Sequence, residues 1–350
     1  LPAAIRDNLS RPAPLPSECR QTTPEETRLT LTRRHLLTAA PAALLASAAR
    51  ADTFPSRPVK LIVPFPPGGP VDVTARAVAQ KLSEYWNQQV LVDNRAGAGG
   101  IVGADIASKA PADGYSVFVC AIHHSVLPAL KPRLPYDIEK DFVPLSFGAR
   151  FPIVLVVHPS VPASTVAELV AHARKNPGKL AFSSAGNGGG THLAGELFNM
   201  HAGTQLVHVP YKGSAPAMQD LLGGQVQMMF SDAPTALPQM KAGRVRALGV
   251  GNPQRTDLVP GVPTLIEGGV SGYDAYSWAG FVAPAAVPRE VAAKLSADIG
   301  RALASPDVVQ RLKDAGAEAA PTTAEQFGQL LKAEIAKWGK VVKTAGITAD

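Results

Sequence analysis

The sequence predicts an α/β protein of two lobes, each built on a mainly parallel sheet, and three observations carry that prediction. A unit of apolar strand, glycine-rich loop and amphipathic helix occurs twice. Each copy runs on through a second strand, another glycine turn, a helical segment and a third strand, the alternation that parallel sheets require. Two matching strand–proline–helix units then bracket the second copy, as two crossings between lobes would.

The first copy has a strand at 60–65, the loop Pro66-Pro67-Gly68-Gly69, and a helix carrying Val73, Ala77, Val78 and Leu82. Strands follow at 89–92 and 115–119, with Gly97 turning between them. The second copy has a strand at 179–182, the loop 183–190 and a helix with Leu193, Ala194, Leu197 and Phe198. Its later strands fall at 205–209 and 225–230, with Gly213 as the turn. Apolar spacing of three and four marks the helices, and short apolar runs bounded by glycine mark the strands. The crossings are 153–157 and 278–283, each followed by a Pro-x-x-Val-Pro or similar segment and a helix. Proline there ends the strand and suits the first helical turn. Paired crossings form a hinge about which rigid lobes can bend. The expected division is a leader at 1–51, lobe 1 at 52–153 plus 276–350, and lobe 2 at 154–275. A last helix spans 323–344, opened by a Thr323–Gln326 capping box and stopped by Gly346. The turn-rich stretch 251–272 reads as a loop at a cleft rim.

A chain of 350 residues, 46% hydrophobic and 18% charged, is large enough for two cores. The net charge of +6 is partly a leader effect, since 1–51 hold seven basic and four acidic residues. The remaining mild excess, dispersed and without interleaved aromatics, argues against nucleic-acid binding. Thr32-Arg33-Arg34-His35-Leu36-Leu37, an Ala/Leu-rich stretch and Ala49-Arg50-Ala51 read as a twin-arginine export signal with an A-x-A cleavage site. The apolar stretch is too short to span a membrane. Cys19 precedes the cleavage site, which leaves Cys120 as a lone core thiol and excludes a disulfide or thiolate metal site.

The chemistry should sit at the two loops. Helix N-termini carry unpaired N–H groups and partial positive charge, so two of them facing one cleft make a receptor for a carboxylate. In the first loop the candidates are Phe65, Pro67, Gly68, Gly69 and Asp72, although the position of Asp72 in the first helical turn suits a capping acid. In the second they are Ser183, Ser184, Gly186, Asn187, Gly188, Thr191 and His192, with backbone donors and hydroxyls enclosing a carboxylate or a bridging water. Beyond the third strands stand His123, His124 and Ser125 in lobe 1 and Ser231 and Asp232 in lobe 2, at the edge where α/β folds collect ligands. The adjacent histidines lack an Asp/Glu/His set at ligand spacing, so no metal is expected. Glycines in both loops superficially resemble a dinucleotide fingerprint, but no acidic residue ends the following strand, so no cofactor is expected. His192 beside Ser183 and Ser184 suggests a hydrolase, yet there is no Gly-x-Ser-x-Gly elbow and no third member. A non-enzymatic role follows.

Several of these segments together resemble one family. They are Pro64-Phe65-Pro66-Pro67-Gly68-Gly69-x-x-Asp72, Asp93-Asn94-Arg95-Ala96-Gly97-Ala98-Gly99-Gly100, Ser184-Ala185-Gly186-Asn187-Gly188 with Thr191-His192-Leu193-Ala194-Gly195-Glu196, Val209-Pro210-Tyr211-Lys212-Gly213, and Val262-Pro263-Thr264-Leu265. In order from Arg57 onward they resemble the Bug-type substrate-binding proteins of tripartite tricarboxylate transporters. The resemblance implies a periplasmic Venus-flytrap receptor, a monomer that delivers a small carboxylate to membrane permease subunits. It further implies that the two loops grip the carboxylate largely through backbone N–H groups and ordered water. The chain departs from the family at His124-Ser125-Val126-Leu127-Pro128, where relatives commonly carry an Ala-Ile-Asn-Pro-like stretch. The ligand is then a mono- or dicarboxylate: an amino acid, a dicarboxylic acid or an aromatic acid. Competing readings are a periplasmic sensor docking on a signalling receptor and an exported hydrolase whose turnover needs His192 or Ser184.

Overall fold

The computed structural model describes residues 54–131 and 133–348; the export signal and Cys19 lie outside the described residues. β1 (Val59–Val63) buries Val59, Leu61, Ile62 and Val63. α1 (Pro70–Trp86) begins with Pro70 and buries Val71, Ala75, Val78 and Leu82 on one face. β2 (Val90–Asn94), a single 3-10 turn at Ala98–Gly100, α2 (Ile101–Ser108) and β3 (Ser116–Ala121) complete the first copy. β1 pairs in parallel with both β2 and β3. The sequence leaves the residues after β3 without an element; the structure makes them a helix, α3 (Ile122–Leu130), which starts directly from the strand.

β4 (Phe142–Val157) is far longer than the crossing seen in sequence, because it serves both halves of the sheet. The second copy then folds as the first did. α4 (Val166–Lys175) is capped by Thr165, whose side chain accepts from the Glu168 N–H. β5 (Ala181–Ser184), α5 (Gly190–Ala202), β6 (Val207–Pro210), α6 (Ser214–Leu222) and β7 (Met228–Asp232) follow. β5 pairs in parallel with β6 and β7. α7 (Ala233–Lys241) leaves β7 just as α3 leaves β3, extending the repeat by one helix. β8 (Arg246–Val250) and β9 (Tyr276–Pro284) flank the turn-rich stretch. α8 (Arg289–Leu303), α9 (Pro306–Asp314), β10 (Glu318–Ala319) and α10 (Ala324–Ala345) end the chain.

The main strand order is β2-β1-β3-β9-β4-β7-β5-β6, with β8 and β10 also paired to β4. Each copy's own three strands are parallel, and every pair made by β4 or β9 is antiparallel. Residues 142–152 of β4 pair with β9, and 153–157 pair with β7 and β8. One crossing therefore lies at Pro152–Ile153. The other lies just before β9, where Ala275 N–H donates to Gly251 O and Gly251 N–H donates to Ile153 O. The segments 153–157 and 278–283 lie next to these points, and Ile153 belongs to both segment and crossing.

Helices cover both faces. α1, α8 and α9 pack with Val59, Leu61 and Phe281 on one side of the first half, and α6 and α7 cover Val154, Val156 and Met229 on the second. The opposite face is continuous across both halves, joining Phe118, Phe147 and Trp278 to Phe182, Phe198 and Phe230 under α3, α5 and α10. The stretch 251–272 buries Val259, Leu265 and Val270, and its Thr256 hydroxyl bonds Glu318 of β10. It thus borders β10. Among the described residues no helix is long and apolar enough to cross a membrane. Cys120 is a buried free thiol.

Candidate ligand-binding site

The two glycine-rich loops come from one local cause, a β-strand that must turn into a helix within a few residues. In the first, Gly68 takes φ +85° and Gly69 caps α1 in extended conformation, with Pro70 fixing the first helical turn. Asp72 does not point into open space. It is 1% exposed, and its carboxylate accepts from Gly68 N–H (2.9 Å), Asn94 Nδ2 (2.8 Å) and Arg76 Nε (2.8 Å). Burial opposes its charge, but these donors outweigh burial and hold the carboxyl below its ordinary range. Asp72 is the brace of the loop and takes up the Gly68 N–H. The N–H groups at Gly69, Val71 and Asp72 begin the helix, where no intrahelical carbonyl reaches them.

In the second loop the polar side chains also serve the loop itself. Ala185 N–H donates to Thr191 Oγ1 (3.0 Å), Gly186 N–H to Ser184 Oγ (3.2 Å) and Gly188 N–H to His192 Nδ1 (3.0 Å). Ser183 donates to Ala217 O. Ser184 Oγ also lies 2.6 Å from His208 Nε2, and the His208 ring stacks on His192 at 3.6 Å and 8°. Burial, then the neighbouring His192, press His208 down to about 4, so it is neutral at pH 7. Ser184 is fully buried. The histidine in contact with Ser184 is thus His208, and not the His192 that stands nearer in the chain.

Between the two halves lie two adjoining cavities. The first, about 390 Å³, is lined by Phe65, Pro67, Gly69, His123, Phe151 and Asp232, with Ser277 and Trp278 of β9 at its border. The second, about 370 Å³, is lined by Ala98, Gly99, His123, Leu130, Asn187 and Gly188. His123 borders both. The adjacent histidines separate because they open a helix: His123 faces the cavities, while His124 is buried with Nδ1 accepting from Ala121 N–H (3.0 Å). Ser125 is likewise buried and donates to Ile122 O. Burial lowers both histidines to about 4. Ser231 is buried and bonds the Asp232 carbonyl.

The loops approach the opposite half closely. A Cβ at Gly188 would stand 2.6 Å from Leu130 Cδ1, and one at Gly190 would stand 2.7 Å from Ser277 Oγ. Thus Phe65, Pro67, Gly69, His123, Asn187, Gly188 and Asp232 converge on the cleft. Asp72, His124, Ser125, Ser183, Ser184, Thr191, His192 and Ser231 lie behind it, and Gly68 and Gly186 shape the turns. Phe151, Ser277 and Leu130 join the cleft although nothing in the sequence marks them. Among the described residues no cluster of His, Cys, Asp and Glu could hold a metal ion.

Residues 74–347 match the model of the tripartite tricarboxylate transporter family receptor. The chain belongs to this family. Protein BugT of Bordetella pertussis is 37% identical over 304 residues, covering 86% of this chain and 93% of BugT. Two solved structures superpose on nearly their whole lengths. R. palustris Rpa4515 with adipate shares 36% identity at TM-score 0.74, covering 84% of this chain and 99% of that one. MatC from Rhodopseudomonas palustris with bound malate shares 32% at TM-score 0.69, covering 83% and 100%. The receptor is therefore a solute-binding protein of two-lobed α/β fold, in the company of periplasmic binding proteins. Of the motif-bearing segments, residues 65–70, 98–99 and 187–188 line the two cavities.

Proposed function

We propose that this protein captures a small carboxylate in the periplasm between its two lobes and delivers it to the permease subunits of a tripartite tricarboxylate-type transporter. The observation that carries the reading is the pair of helix starts at one cleft. α1 begins at the 390 Å³ cavity, and α5 begins where Gly188 meets Leu130 and Gly190 meets Ser277. Both present N–H groups and the positive end of a helix dipole. Side chains that would otherwise compete for those groups are occupied within the loops, as Asp72 with Gly68 and His192 with Gly188. A volume of this size fits a small acid. Adipate and malate in the related structures are of the same class. The hinge at Pro152–Ile153 and Ala275–Tyr276 would let the lobes close over the ligand as a monomer.

Native mass spectrometry of freshly purified protein should find a small acid retained. Calorimetric titration across mono- and dicarboxylates, adipate and malate included, should show saturable binding by at least one. A chain that retains no acid and binds none of the panel would defeat the reading.

A further inference from the structure

Asp232 ends β7, yet its side chain makes no capping bond to α7. It turns instead to the 390 Å³ cavity. Oδ1 accepts the Ser277 hydroxyl at 3.1 Å; among the described residues no other group bonds its side chain and no Lys or Arg pairs with it. A partly buried carboxylate held by one neutral partner is costly and calls for a cation. The walls around it suit one. Phe65 and Phe151 line the same cavity, and aromatic faces attract positive charge. His123, the other polar side chain there, has a buried Nδ1 without a hydrogen-bond partner and is neutral at pH 7, so it supplies no such charge. A second ligand carboxylate placed beside Asp232 would meet a like charge.

Resting on the carboxylate-capture reading, we propose that the ligand is an amino carboxylate. Its cationic nitrogen seats against Asp232 and Ser277 within the aromatic walls, and its carboxylate meets the N–H groups at the start of α1.

Calorimetric titration at pH 7.5 with matched probes tests this. The pairs are 4-aminobutanoate with butanoate, L-phenylalanine with 3-phenylpropanoate, and L-glutamate with glutarate, with adipate and malate as opposing dicarboxylates. At least one amino member should bind about tenfold or more tighter than its partner, the worth of one charge-assisted hydrogen bond. Asp232→Asn, nearly isosteric, should erase that preference, and Ser277→Ala should reduce it in part. If Asp232→Asn does not fold by circular dichroism, the wild-type preference and Ser277→Ala decide. The proposal is overturned if des-amino or dicarboxylate probes bind as tightly as every amino probe, or if the preference survives in folded Asp232→Asn. If no probe of either kind binds, the carboxylate reading itself has failed, and the amino-carboxylate proposal with it.

Discussion

Gly69 and Gly188 stand at corresponding loops but meet different physical demands. Gly69 has φ −77°, open to any residue, and a Cβ there has only Pro66 O at 3.8 Å for company. Gly69→Val should therefore keep the melting temperature while thrusting carbon into the cavity, and weaken binding by about two orders of magnitude through lost charge-assisted hydrogen bonds. Gly188 has φ +69° and faces Leu130. Gly188→Ala should cost stability through its torsion and also obstruct approach of the lobes, and Leu130→Ala should restore binding in part without restoring stability. Titration calorimetry beside thermal melts separates the two behaviours. Arg95, by contrast, forms a half-exposed pair with Asp93 at 2.9 Å, so Arg95→Ala should change neither measurement appreciably. Loss of binding in that variant, with both glycine variants normal, would replace the backbone grip with a guanidinium clamp. Asp232 adds a pH dependence. Burial pushes its carboxyl up to about 6, against about 3.9 in an unfolded chain. The folded state holds the proton between those values, so this group's contribution is most favourable below about pH 4 and is lost as pH rises through 6. The stability difference between Asp232→Asn and the wild type, measured ligand-free by denaturant titration, should grow toward the variant over that window by on the order of 2 kcal/mol. A difference flat from pH 4 to 7 would refute it.

The element that ties the molecule together is α10. Glu334 is buried and accepts from two indoles, Trp278 Nε1 of β9 at 3.0 Å and Trp338 Nε1 of its own helix at 2.8 Å. Lys337 pairs with the same carboxylate and donates to Asp274 O at 3.2 Å. The C-terminal helix thus holds the chain on either side of the second crossing. Glu334→Ala would leave two buried indole donors without acceptors and should cost about 2–5 kcal/mol, read as a lower denaturation midpoint at unchanged m. Thr323→Ala should cost only about 1 kcal/mol, because the capping box serves an exposed helix start. This cap was legible, since Thr323, Gln326 and Gly346 act through their own backbone neighbours. Glu334 was not, because although Trp338 stands one helical turn on, its other partner, Trp278, lies 56 residues away.

For the molecule as a whole, closure of the lobes is expected to bend the chain at its two crossings. β4 passes from one half-sheet to the other at Pro152–Ile153, and the chain returns near Ala275. Small-angle scattering should show a smaller radius of gyration when a bound acid is present, and a tight-binding acid that leaves the scattering unchanged would argue against closure. Legible in the chain alone were the repeated strand–loop–helix units, the parallel pairing within each and the capped last helix. Those features arise from periodicity, glycine and proline acting over a few residues. It took the folded molecule to reveal that Asp72, Thr191 and His192 spend their polar atoms inside the loops, that His123 and His124 part company on a helix, and that Phe151, Ser277 and Leu130 border the cavities. Side-chain direction and long-range neighbours set those outcomes: a residue's partner 45 or 59 positions away, as Ser277 is to Asp232 or Tyr115 to Ser56, leaves no periodic trace in the chain.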